Sequence, residues 1–316
     1  MLEAITLIVA QTTVLLAVSP FLVGLIRKVK ARLQLRRGAS VLQPYADLAK
    51  LFQKQPVIST TTSWIFTATP YIVFASTLTA GLLVPTFTSQ TPMNFAGNII
   101  ALVYLLALGT FFLILAGLDA GSAFGGMGGS REAIVASLTE PAMILSIFAI
   151  ALTAGSTNVS TVVHKTAVLE GIMTDPSPHL MALAALFIVA LAETGRVPVD
   201  NPATHLELTM IHEAMVLEYS GRYLALLEWA AGLKLAVFLS LIANVFAPWG
   251  IATTVAPAAI GIGLLVYILK VSALAMLIGV LECMFAKLRL FRVTDLLGAA
   301  FILALLGLLF FYILRS

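Results

Sequence analysis

Apolar residues fill eight long stretches of the chain, and polar residues gather in the connections between them. The stretches cover residues 5–26, 65–87, 99–118, 133–153, 180–193, 223–246, 256–281 and 296–314. About 20 residues of helix, each rising 1.5 Å, cross the roughly 30 Å hydrocarbon core of a bilayer. The fifth stretch is short, because Pro178 and Arg196 bracket it closely. The pattern predicts an all-α polytopic membrane protein with about eight transmembrane helices.

Composition and the spacing of the stretches predict one integral-membrane domain over residues 1–316. No long polar segment separates the apolar stretches. Hydrophobic residues make up 60% of the chain and charged residues only 10%, against about 25% in an average soluble protein. The first stretch has no basic residues before its apolar core and several after it, which is typical of a retained span rather than of a signal peptide.

The connection after the first stretch contains an amphipathic segment at residues 44–53. Its apolar side chains recur at helical spacing, at Leu42, Tyr45, Leu48, Leu51 and Phe52. Pro44 suits the first turn of a helix, and Asp47 and Lys50 lie between the apolar positions. We predict a short interfacial helix. It is either a lipid anchor or a platform for a cytoplasmic partner.

The placement of lysine and arginine predicts the orientation in the membrane. The odd-numbered connections carry Arg27, Lys28, Lys30, Arg32, Arg36, Arg37, Arg131, Arg196, Arg222, Lys287, Arg289 and Arg292. The opposite side carries only Lys165 and Arg315. The positive-inside rule therefore places the odd-numbered connections in the cytoplasm and both termini outside it, in the plasma (inner) membrane. The basic balance reflects this topology, and no basic surface interleaved with aromatics indicates nucleic-acid binding.

A glycine-rich segment at residues 121–129 precedes the fourth stretch. A phosphate-binding loop is disfavoured, because no Gly-Lys-Ser/Thr sequence closes it. We interpret the glycines as tight backbone turns. Ser130 would then cap the following helix, and Glu132 would lie near its positive end.

Acids and histidines gather between the fifth and sixth stretches, in a chain where charge is otherwise scarce. Glu193, Asp200, His205, Glu207, His212, Glu213 and Glu218 all fall in 26 residues, from 193 to 218. A metalloprotease motif is absent, because no second histidine follows His212 by four positions. The single cysteine, Cys283, rules out an iron–sulfur cluster held by cysteines of this chain alone. Carboxylates and histidines with perturbed pKa values suit proton transfer instead.

Further charges fall inside or at the ends of the apolar stretches. They are Glu140, Glu228, Lys234, Lys270 and Glu282. Such residues are costly in a bilayer and commonly mark ion pathways, although structural ion pairs are the alternative. We predict a proton path through Glu140, Glu193, Asp200, His205, Glu207, His212, Glu213, Glu218, Glu228, Lys234 and Glu282. For Lys270 both interpretations stay open. We predict no catalytic, metal-binding or cofactor-binding residue on this chain.

Several short motifs together resemble those of a known family. They are Arg36-Arg37-Gly38, residues 41–44 and 47–52, Gly117-Leu-Asp119 with Gly121-Ser122, Ser130-Arg-Glu132, Glu140-Pro141, Glu193-Thr, Arg196-Val-Pro198 with Asp200, and Glu218-Tyr-Ser-Gly221. The chain resembles, over essentially its whole length, the membrane subunit that complex I shares with group 4 membrane-bound NiFe hydrogenases of the formate hydrogenlyase type. In complex I this is NADH dehydrogenase subunit 1.

Departures from the complex I pattern favour the hydrogenase branch. Ala203 and His205 stand where complex I proteins carry further carboxylates, and the spacing to Glu218 is longer. Those carboxylates lie along the quinone cavity of complex I, so their absence puts quinone binding in doubt. Residues 286–290 also resemble hydrogenase-type subunits.

The resemblance implies a membrane anchor for an electron-transfer arm, which couples redox chemistry to proton or sodium translocation. Its implied partners are NiFe large and small subunits, an iron–sulfur protein and antiporter-like membrane subunits, and the NiFe and iron–sulfur clusters would lie on those partners. We expect Arg36, Arg37, Asp47 and Arg196 to face the soluble arm. A quinone-site subunit of a complex I-type enzyme is the alternative. A secondary transporter is disfavoured, because the two halves show no clear internal repeat.

Overall fold

The computed structural model describes residues 2–89, 91, 93, 97–168, 176–201, 210–254 and 256–315. It is 77% helical. Extended pairing within the described residues is limited to two isolated bridges, Thr88 with Ala252 and Asn98 with Asn158. The predicted all-α class is therefore confirmed.

Eleven helices are present in the described residues. They are α1 (Leu2–Leu33), α2 (Gln43–Phe52), α3 (Trp64–Leu83), α4 (Ile99–Asp119), α5 (Ala123–Ala154), α6 (Val159–Val168), α7 (Pro176–Glu193), α8 (His212–Val216), α9 (Gly221–Leu241), α10 (Pro257–Met284) and α11 (Leu290–Arg315). A π-helical turn, Ile242–Phe246, extends α9. Helix α2 confirms the predicted amphipathic helix, shifted by one residue.

In the described residues seven helices are long and apolar enough to cross a membrane, and they correspond to seven of the eight predicted stretches, although the stretch 65–87 extends four residues past the end of α3. They are α1, α3, α4, α5, α9 with its π-helical turn, α10 and α11. The remaining stretch lies in α7, which has 18 residues and a length of about 27 Å, near the lower limit for a span. Ala182, Leu186 and Val189 on α7 are fully buried, because α7 packs between α5 and α11. The chain is thus a multi-pass membrane protein.

Helix α5 begins earlier than predicted. Ser122 caps it by accepting a hydrogen bond from the Gly125 backbone N–H at 3.1 Å. The glycine-rich segment is therefore helical from Ala123, and the interpretation as tight turns with Ser130 as the cap was wrong. Ser130 lies two turns inside the helix and donates to the Met127 carbonyl. Glu132 is likewise inside the helix rather than at its positive end.

Close packing explains why glycines are tolerated within α5, where they lower helix stability. A Cβ atom at Gly125 would lie 2.3 Å from the Gly117 carbonyl oxygen of α4. A Cβ atom at Gly128 would lie 2.8 Å from both the Ala214 Cβ of α8 and the Ile211 carbonyl oxygen. Glycine at these positions lets α5 touch the backbones of α4 and α8.

Hydrogen bonds bring the basic connections together on one face of the bundle, as the charge pattern predicted. The Ser63 N–H donates to Asp119 Oδ2 at 2.8 Å, and Arg131 Nη1 donates to the Met210 carbonyl at 3.0 Å. The opposite connections meet at the other end, where the Ser89 N–H donates to the Ala252 carbonyl at 3.0 Å. We call the face that carries the basic connections the basic face.

The Tyr219-Ser220-Gly221 motif fastens the α2–α3 connection to the start of α9. The Tyr219 ring stacks on Phe66 at 4.0 Å, and its hydroxyl donates to the Phe66 carbonyl at 2.9 Å. Gly221 has a φ of 54°, and a Cβ atom there would lie 2.6 Å from the Lys54 carbonyl oxygen. These three motif residues therefore have a structural role.

Candidate functional site

An open cleft of about 500 Å³ lies at the basic face between α1, α2, α8, α9 and the 194–200 segment. Charged and titratable side chains of both signs line it: Arg27, Lys30, Asp47, Arg196, Asp200, His212, Glu213 and Glu228. Leu48 and Leu51 of α2 form part of its wall, so the amphipathic helix covers the cleft. Water and ions at the basic face can reach these side chains.

A buried ion pair lies deeper in the protein, where α4, α5, α7 and α9 meet. Lys234 Nζ is 2.7 Å from Glu193 Oε2, and the two side chains are only 16% and 7% exposed. Lys234 also donates to Thr110 Oγ1 at 3.1 Å. Thr139 donates to the other oxygen of Glu193. The pair between α7 and α9 is thus held by hydroxyl groups from two further helices, α4 and α5.

Two small cavities lie between the cleft and this ion pair. The first, of about 30 Å³, is lined by Thr110, Glu132, His212 and Lys234 among others. The second, of about 10 Å³, is lined by Glu132, Glu193, Asp200 and His212 among others. A polar void of about 10–15 Å³ is the least that holds a water molecule. His212 lines the cleft and both small cavities, so a single side chain separates the cleft from the voids beside the Lys234–Glu193 pair.

Glu140 lies next in sequence to Thr139 and interacts electrostatically with both Glu193 and Lys234. Its side chain is half-buried on the outer face of α5, and the adjacent Pro141 is exposed. The polar chain therefore reaches the lateral surface of the subunit within the membrane.

Asp200 holds the start of α8. Its Oδ1 accepts a hydrogen bond from Lys287 Nζ at 2.7 Å, and its Oδ2 accepts from the backbone N–H groups of Ile211 and His212, each at 3.2 Å. Because His212 is the first residue of α8, Asp200 fixes the position of its imidazole between the cleft and the small cavities.

Glu282 forms a separate cluster near the end of α10 that lies at the basic face. Its side chain is fully buried, with Oε2 2.6 Å from Lys30 Nζ and Oε1 3.2 Å from Arg196 Nη1. Arg196 is only 11% exposed and points into the protein, which corrects our expectation that it faces a soluble partner. Two cations balance the Glu282 carboxylate, and Glu282 does not line either small cavity.

Burial shifts the pKa values of two titratable groups at the mouth of the polar chain. Desolvation, together with the charge of Lys234, lowers the pKa of His212 to about 4, although Asp200 opposes the shift. Desolvation and the neighbouring Glu228 raise the pKa of Glu213 to about 7. At neutral pH His212 is therefore neutral, and Glu213 is protonated in part.

The other predicted residues fall into three groups. Glu218 is exposed and lies outside both the cleft and the small cavities, and its place in the proton path stays a prediction. Arg36 and Arg37 are exposed at the basic face, and Asp47 is partly exposed, with its Oδ2 4.0 Å from Arg27 Nη1. His205 and Glu207 lie outside the described residues.

Sequence reasoning missed Glu132 and left Lys270 open. Glu132 is buried and lines both small cavities. Its eight-residue spacing from Glu140 is visible in the sequence. We had placed Glu132 at the start of a helix, however, and so did not expect it inside α5. Lys270 Nζ donates to the Ala247 carbonyl at 2.5 Å, which satisfies the backbone after the π-helical turn and indicates a structural role.

Comparison with known proteins identifies the family. The family model described as NADH dehydrogenase matches residues 5–313. Hydrogenase-4 component C of Escherichia coli (strain K12) is 36% identical over 301 residues, which cover 95% of this chain and 94% of that protein. Formate hydrogenlyase subunit 4 of the same organism is 36% identical over 280 residues, covering 89% and 90%.

More distant proteins agree. A subunit of the NADH-quinone oxidoreductase of Paramagnetospirillum magneticum is 30% identical over 276 residues, covering 84% of this chain and 77% of that protein. A chain of the membrane-bound sulfane sulfur reductase, an archaeal respiratory membrane complex, shares the fold with a TM-score of 0.79 at 21% identity and covers 98% of both chains. The chain therefore belongs to the NADH dehydrogenase family and is similar to hydrogenase-4 component C and formate hydrogenlyase subunit 4, as its motifs predicted.

Proposed function

We propose that this chain is the membrane-anchoring and coupling subunit of an energy-converting, membrane-bound hydrogenase-type complex. In this role it links an electron-transfer arm on the cytoplasmic side to the translocation of protons or sodium ions. The similarity over nearly the full length to hydrogenase-4 component C and formate hydrogenlyase subunit 4 supports this class of complex. The redox centres, NiFe and iron–sulfur, belong to partner subunits in this proposal.

The polar chain from the cleft to the Lys234–Glu193 pair is the observation that carries the proposal. A charge at the centre of a bilayer costs at least about 2.5 kcal/mol, and a buried ion pair is often no more stabilising than apolar residues of similar size. Packing alone therefore gives little reason to keep Lys234 and Glu193 here. Water-sized voids beside the pair supply what ion transfer needs.

The lateral position of Glu140 supports an assembly with further membrane subunits. A half-buried carboxylate on the outer face of α5 would be costly against lipid chains. A neighbouring antiporter-like membrane subunit that covers this face would accept the transferred charge. Glu140 is then the exit of the path, and the cleft is its entrance.

The basic face supports docking of soluble subunits. Arg36 and Arg37 are exposed there, beside the cleft wall formed by α2. The positive-inside rule assigns this face to the cytoplasm, so both termini lie outside the cytoplasm in this proposal. NiFe large and small subunits and an iron–sulfur protein are the soluble partners it implies.

A quinone-site subunit is the second candidate, and the cleft favours it. Its volume of about 500 Å³ lies in the usual range for small-molecule sites, about 300–1,000 Å³. The two functions differ in the electron acceptor of the whole complex. Hydrogen evolution from reduced methyl viologen supports the hydrogenase-type function, whereas reduction of a short-chain quinone without hydrogen evolution supports the second candidate.

The decisive experiment uses the whole complex, purified through a tag on this chain and reconstituted into sealed vesicles. Reduced methyl viologen should drive hydrogen evolution together with movement of protons or sodium ions, followed by a pH-sensitive dye and by a sodium tracer. Glu140→Gln should leave the complex assembled but impair ion movement, because it removes the titrating group and keeps the shape. The matched control is Asp295→Asn, at an exposed carboxylate of α11. A wild-type complex that evolves hydrogen without moving ions would overturn the coupling function.

A further inference from the structure

We propose that Glu132 carries protons between the cleft at the basic face and the buried Lys234–Glu193 pair. The proposal rests on the coupling function above and adds a residue that the charge pattern of the sequence did not indicate. Glu132 is only 8% exposed, so its carboxylate faces internal space rather than lipid or bulk water.

The packing of α5 against α8 places Glu132 beside His212. Gly128, one turn before Glu132, brings α5 into contact with the backbone at Ile211, where a Cβ atom would lie 2.8 Å from the carbonyl oxygen. Arg131 Nη1 donates to the Met210 carbonyl at 3.0 Å. These contacts hold the first residue of α8 next to the inward face of α5.

Glu132 and His212 are the two residues that line both small cavities in the described part of the chain. One cavity leads to Lys234 and Thr110, and the other leads to Glu193. His212 also lines the cleft, whereas Glu132 does not. Asp200 and Gly195 line both the cleft and the second cavity as well, but His212 is the titratable residue that lines all three spaces. In this proposal a proton from the cleft passes His212 first, then Glu132, and then the ion pair.

The transfer is balanced as a proton relay. A hydronium ion in the cleft gives a proton to one nitrogen of the His212 imidazole and becomes water, while the proton on the other nitrogen passes through cavity water to the Glu132 carboxylate. The imidazole then carries its proton on the opposite nitrogen and returns to its first tautomer before the next transfer. Imidazole is neutral before and after this exchange, in keeping with the low pKa of His212, and Glu132 becomes a carboxylic acid. It returns to the carboxylate when the proton moves on towards Glu193.

A purely structural role would make Glu132 a fixed counter-charge for Lys234. The contacts disfavour that role, because Lys234 already has Glu193 at 2.7 Å. Among the described residues, Glu132 has no cationic partner within 4.0 Å, unlike Glu193, Asp200 and Glu282. A carboxylate close to a cation without direct contact can bind and release a proton more easily than one locked in an ion pair.

The test compares Glu132→Gln, Glu132→Asp and the control Asp295→Asn in the reconstituted complex. A positioned proton-transfer group contributes about 10²–10⁴-fold, so Glu132→Gln should slow ion movement per assembled complex by about a hundredfold. Glu132→Asp should retain an intermediate rate, and Asp295→Asn should match the wild type. Wild-type ion movement in Glu132→Gln would overturn the role of Glu132 and leave the coupling function standing. If the wild-type complex moves no ions, the coupling function itself fails.

Infrared difference spectroscopy on reduction of the complex separates proton transfer from a structural role. A carboxylic-acid C=O band in the wild type should shift in Glu132→Asp, because the protonated group itself has changed. This measurement also decides the matter if Glu132→Gln does not assemble. A band that is identical in the wild type and in Glu132→Asp would overturn the proposal.

Discussion

Replacement of Lys234 by methionine should destabilise the protein strongly, because it leaves the Glu193 carboxylate buried without its cation. Lys234 Nζ lies 2.7 Å from Glu193 Oε2, and both side chains are more than four-fifths buried. Methionine is also an unbranched, mostly apolar side chain, so packing changes little. The main effect is therefore electrostatic, with the loss of the hydrogen bond to Thr110 added to it.

The magnitude follows from the burial of the pair. Removal of one partner of a buried ion pair costs about 3–5 kcal/mol, and solvent screening reduces this little at exposures of 16% and 7%. The second single variant, Glu193→Gln, leaves Lys234 with a neutral partner in place of the carboxylate. The double variant removes both charges, so it should be less destabilised than the sum of the two singles by about 0.5–3 kcal/mol.

Unfolding of the full chain by SDS in mixed micelles, followed through its three tryptophans, measures these free energies. Lys54→Met is the matched control, since Lys54 is exposed and a surface change should stay within about 0.5 kcal/mol. A cost below about 1 kcal/mol for Lys234→Met, or strict additivity in the double variant, would refute the electrostatic reasoning. Either result would mean that Glu193 and Lys234 do not form a charged pair.

Three further predictions address pH, docking and topology. Burial raises the pKa of Glu213 from 4.5 to about 7, so this residue makes the folded state less stable as the pH rises from about 4.5 to 7. Burial lowers the pKa of His212 from 6.5 to about 4, so this residue makes the folded state less stable as the pH falls from about 6.5 to 4. The two effects oppose each other in the wild type. The free energy of unfolding, measured between about pH 4.5 and 6.5, should therefore rise with pH in Glu213→Gln and fall with pH in His212→Gln. The same pH dependence of the unfolding free energy in both variants would contradict this. Charge reversal at Arg36 and Arg37 should release soluble subunits from the purified complex, while the control Lys54→Glu retains them. If the charge-reversed complex stays intact and fully active, these arginines serve only as topology signals, with an attraction of about 1 kcal/mol each to anionic lipid headgroups. A reporter fused after residue 316 should lie outside the cytoplasm, and a cytoplasmic signal would disprove the orientation.

The sequence predicted the membrane segments well, because burial in lipid requires long apolar runs whatever the details of packing. It placed the start of α5 about ten residues late, because glycine is a poor helix former in isolation. The close approach of Gly125 and Gly128 to α4 and α8 depends on residues distant in sequence. Local sequence preference therefore predicted turns in the glycine-rich segment, where contacts with distant residues stabilise a helix.

The candidate site was predicted as a set of residue types but not as a set of partners. Proximity in sequence grouped Glu193 with Glu218, yet Glu193 is buried beside Lys234 and Glu218 is exposed. Arg196 stands in a connection rich in motifs, which suggested an outward role, but its partner Glu282 comes from α10. Pairing across helices is a property of the packed bundle, so a single sequence without packing information could not supply it.

The buried carboxylates divide into two kinds by their cations, and this division argues for distinct roles. Glu282 contacts two cations and Asp200 contacts Lys287, each within 3.2 Å, so their charges are fixed and they hold α1, α8 and α10 in place. Glu132 has no cation within 4.0 Å among the described residues, and it lines the voids that lie between the cleft and the Lys234–Glu193 pair. Glu193 also contacts a cation, at 2.7 Å, but unlike Glu282 it lines one of those voids. A proton path needs at least one group that can change charge beside such fixed pairs, and this is the role that we propose for Glu132, with Asp200 and Glu282 holding the surrounding helices in place.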